Sequence, residues 1–328
     1  MDTNNIQTAT KSIDVPVALI FFNRPEPLKV VFDCIRKNKP SKLFLIQDGP
    51  RLNNATDNLN VDKCREIVSN IDWECEVIRD FSNENLGCGK RIFTGLSNAF
   101  KKVDRLVIIE DDIVFSDSFL PFCKELLEKF KDDLRIDHIC GMNHFGSYHD
   151  CNSSYFFTRG GSIWGWATWK RVWDDISWDL HEADDEYVTK TLKLNNYPRK
   201  YGEYLSKHSC ELRTLIKSGQ SPTYWSFHLL YYSYLNSRIN IVPTVNLISN
   251  IGITIESAHT TSSYKKLTRN DRNFFFQKLN NIQFPLIHPC HVLEDRNYKE
   301  RQEQLLYPKG WKGFVDAIEH KLRKILFR

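Results

Sequence analysis

From Val15 to Cys140 the chain alternates short β-rich runs with longer amphipathic stretches, which limits the possible folds more than any other feature. The runs that predict strands are Pro16–Phe22, Lys42–Gln47, Glu76–Arg79, Arg105–Ile109 and His138–Gly141. The stretches whose apolar residues recur at helical spacing are Leu28–Lys37, Leu59–Ser69, Lys90–Lys101 and Phe119–Phe130. Such alternation is typical of an α/β fold with a mostly parallel central sheet and flanking crossover helices.

The first four predicted strands all end in polar or charged residues. The first runs into Asn23 and Arg24, the second into Asp48, the third into the loop 83–89, and the fourth into the acidic triplet 110–112. A doubly wound sheet binds its ligands beyond the carboxyl ends of its strands. We therefore expect a ligand site at this edge, although turns alone also favour Asn, Asp, Gly and Pro.

The acidic triplet Glu110, Asp111 and Asp112 directly follows an apolar run, Leu106–Ile109. Three adjacent carboxylates repel one another and raise their own pKa values unless a cation lies among them. Mg²⁺ and Mn²⁺ are commonly held by one or two carboxylates together with diphosphate and water. The triplet therefore predicts a site for Mn²⁺ or Mg²⁺; the alternative is a cap for the next helix or a solvated acidic turn.

Composition excludes some classes of function. A net charge of +4 and a pI near 8.5 are far from the dense Lys/Arg surface of a nucleic-acid-binding protein, so no nucleic-acid partner is expected. Neither a signal-peptide pattern nor an apolar run long enough to span a bilayer is present, which predicts a cytoplasmic protein or one attached peripherally to the cytoplasmic face of the membrane. The 9 cysteines show no zinc-site spacing and are expected to be reduced.

The run Val107–Ile113, with Phe119 after it, resembles the Glu-Asp-Asp signature of the Golgi N-acetylglucosaminyltransferase I family and of related bacterial surface-polysaccharide glycosyltransferases. Further segments recur in matching order: Asn23-Arg24, Ile46–Gly49, Asn143–Gly146 and Gly165-Trp166. The resemblance covers roughly residues 15–252. It implies a GT-A fold and transfer from a UDP-sugar to a glycan or lipid-linked glycan acceptor.

By position, the resemblance makes Asp112 the principal direct metal ligand and places Arg24 and Asp48, with Asn23, at the uracil or ribose of the nucleotide. Glu110 and Asp111 would face sugar and ribose hydroxyls or the second shell of the metal. A late histidine, His259, is a candidate to complete the metal or diphosphate shell. The alternatives are a surface charge for Arg24, a type I turn at Asp48 and an ordinary loop residue for His259.

The segment Asn83–Arg91 resembles the Asn- and Gly-rich entry to the third crossover helix of GT-A enzymes. Its glycines permit close backbone approach, and a helix N-terminus offers free N–H groups to an anion. Asn85, Lys90 and Arg91 are therefore candidate diphosphate or nucleotide ligands. A plain Gly-rich loop is the alternative.

The aromatic block from Trp164 to Trp169 predicts part of a sugar or acceptor pocket, since sugar rings pack on aromatic faces. Asn143, Trp164, Gly165 and Trp166 are assigned to that pocket, with core packing of a second subdomain as the alternative. Trp166 and Trp169 cannot lie on the same face of one strand, so at least one is expected to be structural.

The chain departs from the family pattern at its catalytic base. Inverting members place an Asp pair after a Trp near the start of a late helix, whereas the matching stretch here is Tyr224–His228. His228 and Glu211 are the substitute candidates, each with an ordinary polar helix residue as its alternative. Whether transfer inverts or retains configuration is left open, as is an inactive protein.

We predict a flexible N-terminus at 1–14, a catalytic domain at 15–260 and a C-terminal extension at 261–328. The extension ends in a basic amphipathic stretch, Trp311–Arg328, which predicts docking on an anionic membrane surface or packing on the domain or on a second copy in a homo-oligomer.

Two functions compete with the glycosyltransferase interpretation. They are a sugar-nucleotide nucleotidyltransferase and a catalytically silent glycan-binding protein on the same fold.

Overall fold

The computed structural model describes residues 12–149, 152–195, 199–253, 267–308, 310–311, 315, 318–321 and 323. The strands are β1 Ile13–Phe21, β2 Pro40–Gln47, β3 Glu76–Phe81, β4 Arg105–Glu110, β5 Ile113–Phe115, β6 Ile136–Cys140, β7 Tyr155–Thr158, β8 Trp166–Trp169, β9 Ile239–Pro243 and β10 Ile248–Asn250. The α-helices are α1 Pro25–Asn38, α2 Ala55–Ser69, α3 Cys88–Phe100, α4 Phe119–Lys129, α5 Lys170–Trp173, α6 Glu186–Asn195, α7 Arg199–Lys217, α8 Ser226–Leu235, α9 Arg269–Arg272 and α10 Arg296–Leu306.

Eight strands form the central sheet in the order β3-β2-β1-β4-β8-β6-β9-β7. β3, β2, β1 and β4 pair in parallel, and β6 and β9 run in the same direction as these four, while β8 and β7 are antiparallel to their neighbours. β5 and β10 form a small separate sheet. The predicted α/β architecture, a mostly parallel central sheet flanked by helices, is confirmed.

The core follows from the apolar composition of the inner strands. Ala18, Leu19, Leu106 and Val107 on β1 and β4 are completely buried, and since neighbours along a strand face opposite sides, both faces of these central strands are covered. The five strands and four helices expected before residue 141 are all present, with ends that differ by a few residues.

The second half of the sheet includes β8, a strand that the spacing of apolar residues did not predict. β8 contains the last four residues of the aromatic block and lies between β4 and β6. The indole of Trp166 stacks on Trp225, whereas the indole N–H of Trp169 donates to the Leu127 carbonyl on α4. The two indoles therefore pack on different helices, as the strand period requires, and both are core residues.

The C-terminal extension contributes to the main body of the protein through α10. The N–H of Asp295 donates to the Phe157 carbonyl on β7, and the completely buried Tyr298 hydroxyl accepts from the N–H of His144. The expected boundary at residue 260 and most of the expected amphipathic end helix lie outside the described residues, and β1 begins at Ile13, within the segment expected to be flexible.

Within the part of the chain that the structure describes, no helix is both long enough and apolar enough to cross a bilayer.

Candidate functional site

The carboxyl ends of β1, β2 and β4 meet at one edge of the sheet. β1 pairs with β4 through Ile20 and Glu110, and with β2 through Phe21 and Gln47. The next residues along the three strands are therefore neighbours in space. The structure thus brings together three of the four polar strand ends that the sequence predicted to share a site.

Arg24 joins two of the acidic residues across this edge. Its guanidinium forms a two-pronged hydrogen bond with both carboxylate oxygens of Asp111, and its Nη2 atom lies 3.0 Å from Oδ2 of Asp112. The side chain of Asp111 is 4% exposed and that of Asp112 is 15% exposed. Arg24 therefore supplies positive charge among the carboxylates, which the sequence did not predict.

Burial dominates the electrostatics of the cluster. Desolvation, followed by repulsion from Asp112 and Asp111, raises the pKa of Glu110 to about 8. Desolvation also raises the pKa of Asp111, although the adjacent Arg24 charge opposes the rise. Burial disfavours the Arg24 charge, but the two aspartates outweigh it and raise the pKa of the guanidinium. One guanidinium thus contacts two carboxylates, and negative charge remains in excess.

The donor set fits a hard divalent cation that takes most of its ligands from a substrate. Among the described residues, no three His, Cys, Asp or Glu side chains converge as a complete metal cage. Asp112 is one of the two partly exposed acids of the cluster, and its Oδ2 is the oxygen that lies 3.0 Å from Nη2 of Arg24. Mg²⁺ and Mn²⁺ accept such sites, in which phosphate and water complete the shell.

The backbone of Gly252 packs against Asp112. The N–H of Ile251 donates to the Asp112 carbonyl at 2.8 Å, and a Cβ atom on Gly252 would lie 2.2 Å from Oδ2 of Asp112. A side chain at position 252 would therefore displace the carboxylate. No feature of the sequence predicted this contact.

Asp48 is buried and holds the loop that leads into α3. One of its oxygens accepts from the N–H groups of Gly49 and Leu86, and the other accepts from the Gly87 N–H and the Asn85 side chain, at 2.9–3.1 Å. Four hydrogen bonds occupy the carboxylate. The role of Asp48 at the uracil or ribose stays a prediction; the observed role is to position the loop.

The two basic candidates of this loop differ in their surroundings. Arg91 is buried, and its guanidinium donates to the Gln47 carbonyl and to both the carbonyl and the carboxylate of Asp80. Lys90 is exposed at the start of α3. Arg91 therefore ties β2, β3 and α3 together, whereas Lys90 is the one of the two that can reach a bound anion.

Asn23 is held by Asp57, which sequence reasoning missed. The Asn23 amide donates to Oδ1 of Asp57 at 2.7 Å, and Arg51 donates to both oxygens of the same carboxylate. The Arg51 hydrogen bonds, opposed by desolvation, lower the pKa of Asp57. Asp57 lies in the first turn of α2, where an acid looks like an ordinary helix residue, so no sequence signal marked it.

The residues assigned to a sugar pocket divide into two groups. Asn143 is completely buried and bonds the backbone of Pro243 and Phe145, Gly165 adopts a φ of 58°, and Trp166 lies in the core. Trp164 is half-buried against Phe275 and lines a cavity. Trp164 is thus the member of this set that faces open space.

Neither candidate base occupies the carboxylate cluster. His228 is completely buried, stacks on Trp178 at 4.6 Å, and its Nε2 lies 3.0 Å from the Trp178 carbonyl; burial lowers its pKa. Glu211 is exposed on α7, where it pairs with His208. The roles of His228 and Glu211 stay predictions, and His259 lies outside the described residues.

No family model and no curated protein matches the sequence. Three solved structures share part of its architecture. HddC from Yersinia pseudotuberculosis is 15% identical with a TM-score of 0.30 over 49% of this chain and 80% of its own. Mouse xyloside xylosyltransferase 1 is 10% identical with a TM-score of 0.37 over 70% of this chain and 85% of its own. The inositol-1-phosphate CTP transferase from T. maritima is 9% identical with a TM-score of 0.34 over 74% of this chain and 91% of its own. Similarity this low carries no information about function.

Proposed function

We propose that this protein is a metal-dependent glycosyltransferase that moves a sugar from a UDP-sugar to a glycan or lipid-linked glycan acceptor. The observation that carries the proposal is the excess of carboxyl groups at 110–112, at the carboxyl end of a buried central strand, beside the polar ends of β1 and β2. Binding at this edge is the general rule for open α/β sheets.

Asp112 would hold Mn²⁺ or Mg²⁺ through its carboxylate, with the diphosphate of the donor completing the shell. The bound ion would supply charge stabilisation to the leaving diphosphate. Arg24 orients Asp111 and approaches Asp112, so it keeps both carboxylates in place before the donor arrives. Lys90, exposed at the N-terminus of α3, would add positive charge beside the diphosphate.

One observation favours a second candidate, a glycan-binding protein without catalysis. The two substitute bases are a buried, stacked His228 and a solvent-exposed Glu211, and Arg24 already balances part of the charge that a metal would balance. Such a protein would bind a nucleotide sugar or glycan and would not turn it over.

The test is isothermal titration with UDP-sugars and with UDP, GDP, CDP and ADP, with and without Mn²⁺, followed by donor hydrolysis and transfer assays. Asp112→Ala is expected to lose metal-dependent UDP-sugar binding by about a hundredfold while keeping the parent's melting temperature. Asp117→Ala is the matched control, because Asp117 lies five residues away but is 58% exposed and pairs only with Lys37 among the contacts that the structure describes.

Each outcome of these assays supports one of the candidate functions. Mn²⁺-dependent preference for UDP with sugar release supports the glycosyltransferase, and binding without turnover supports the silent protein. Formation of a nucleotide sugar from a nucleoside triphosphate and a sugar phosphate would instead identify a nucleotidyltransferase. If Asp112→Ala bound UDP-sugar with Mn²⁺ as well as the parent and Asp117→Ala do, the metal assignment would be wrong.

A further inference from the structure

A cavity of about 340 Å³ lies among α7, α8, α10 and the loop that leads into β8. Its floor is formed by Asp137 and His138 on β6 and by Asn240 on β9. The register of the sheet places His138 opposite Thr168 and therefore level with Leu106, four residues before Glu110. β6 lies two strands away from β4 across the sheet, and Leu106 lies four residues before Glu110 along β4. These two displacements together put the floor on the order of 16 Å from the carboxylate cluster. The floor of the cavity is thus separate from the carboxylate cluster.

Two buried acceptor atoms on the floor have no hydrogen-bond partner among the described residues. These are Oδ1 of Asp137 and Oδ1 of Asn240, in residues that are 1% and 6% exposed. The other end of each group is anchored, since His138 Nδ1 lies 2.9 Å from Oδ2 of Asp137 and the Asn240 amide donates to the Gly160 carbonyl at 2.8 Å. Unpartnered buried polar atoms cost free energy, which a ligand with hydroxyl groups would recover.

The wall of the cavity is aromatic. The residues that line it are Trp164 in the loop before β8, Tyr201 and Tyr204 on α7, Tyr224 between α7 and α8, and Phe227 on α8. Rigid rings of this kind offer flat apolar area to the C–H face of a ring-shaped ligand. A polar floor opposite an aromatic wall suits a ligand with hydroxyl edges and apolar faces.

The charges around the cavity are already balanced. Each charged side chain that lines it has an oppositely charged neighbour: Asp137 with His138 at 2.9 Å, Arg159 with Glu294 at 3.8 Å, and Lys299 with Glu303 at 3.3 Å. Lys299 also lies 4.7 Å from the ring centre of Tyr201. A charged ligand would have to break one of these pairs, so the site favours a neutral occupant.

We propose that this cavity binds one neutral, hydroxyl-rich ring, namely a pyranose unit of a glycan. Its volume lies at the small end of ligand sites, which span roughly 300–1,000 Å³, so a single sugar ring suits it better than a long oligosaccharide. The binding does not depend on the proposed transferase activity. Under that activity the ring is a unit of the acceptor, held away from the reacting end.

The experiment is saturation-transfer NMR and calorimetry of the full-length protein with methyl glycosides of glucose, galactose and N-acetylglucosamine, each measured with and without UDP and Mn²⁺. Glucuronate serves as the charged comparison and cyclohexylmethanol as the ring that lacks the hydroxyl pattern. At least one neutral glycoside is expected to bind in the millimolar range, as a ligand of this size does, and more tightly than both comparison compounds. Because the readout needs no nucleotide, failure of the transferase proposal leaves this result interpretable.

Two variants test the wall and the floor. Tyr204→Ala removes a half-exposed ring of the wall and is expected to weaken binding about tenfold. Asp137→Asn keeps an oxygen to accept from the His138 ring but turns a floor acceptor into a donor, and is expected to weaken binding at least as much. Tyr187→Ala is the matched control, because Tyr187 is 75% exposed on α6 and lies outside the cavity lining.

The proposal is overturned if no neutral glycoside binds the parent at tens of millimolar, or if glucuronate binds as tightly. It is also overturned if Tyr204→Ala binds like Tyr187→Ala while both keep the parent's melting temperature. If Asp137→Asn does not fold, the comparison of Tyr204→Ala with Tyr187→Ala alone decides whether the cavity binds the glycoside.

Discussion

Replacing Arg24 by methionine tests whether the acidic cluster needs a cation in order to fold. Methionine keeps the apolar stem of the side chain and removes the charge that faces Asp111 and Asp112. Breaking a fully buried ion pair costs about 3–5 kcal/mol, because the remaining charge is left unpaired. The Asp111 side chain is 4% exposed but that of Arg24 is 35% exposed, and solvent screening reduces the expected loss to about 2–3 kcal/mol.

Arg36→Met is the matched control. The Arg36 side chain is 32% exposed, close to the value for Arg24, but its partners Asp33 and Asp72 are 46% and 59% exposed. Exposed pairs of this kind contribute about 1 kcal/mol or less. Arg36 also donates to the Asn70 carbonyl at 2.9 Å, so this variant sets the baseline for removing an arginine with its hydrogen bond, and any larger loss in Arg24→Met reports the burial of the carboxylates.

The assay is urea unfolding of parent, Arg24→Met and Arg36→Met, first with a chelator and then with Mn²⁺. A cation that binds only the folded protein stabilises it by mass action, and it should stabilise Arg24→Met more than the parent because the variant has lost its competing positive charge. Equal loss of stability in the two variants, or an Mn²⁺ effect no larger for Arg24→Met than for Arg36→Met, would refute the electrostatic account of the cluster.

Three further predictions concern the surroundings of the site. Asp48→Ala should lower the free energy of unfolding by about 2–3 kcal/mol, because it deletes the acceptor of four hydrogen bonds. It should also speed amide hydrogen exchange in the loop 82–87, and exchange at the parent's rate would contradict this. Gly252→Ala should weaken Mn²⁺ binding about tenfold without a large change in melting temperature, since its Cβ would displace Asp112; unchanged affinity in calorimetry would count against the contact. Asp57→Asn should cost about 1–2 kcal/mol at pH 7. Since Arg51 lowers the pKa of Asp57 in the folded state, that stabilisation is present above the ordinary carboxyl pKa and is lost as the pH falls through the lowered value, so urea curves of parent and variant should converge in acid.

The sequence was sufficient for the elements of the first half of the fold. The spacing of apolar residues is a local property, and it predicted β1 to β4, β6 and α1 to α4 to within a few residues. It also located the acidic triplet, because the three carboxylates are adjacent in the chain and directly follow a buried run. The rule that parallel strands end at one edge then brought Arg24, Asp48 and Glu110 to a common site.

Only the tertiary structure decided how those side chains are used. Arg24 meets Asp111 across 87 residues, Asp48 binds a loop 37–39 residues away, and Asp57 reaches back 34 residues to Asn23. α10 closes a cavity whose floor lies on β6 and β9. The local spacing of apolar residues predicts which face of a helix or strand is buried. It does not predict which backbone group or charged side chain, distant in sequence, contacts that face. Those partners depend on how the elements pack, and packing is a property of the whole chain.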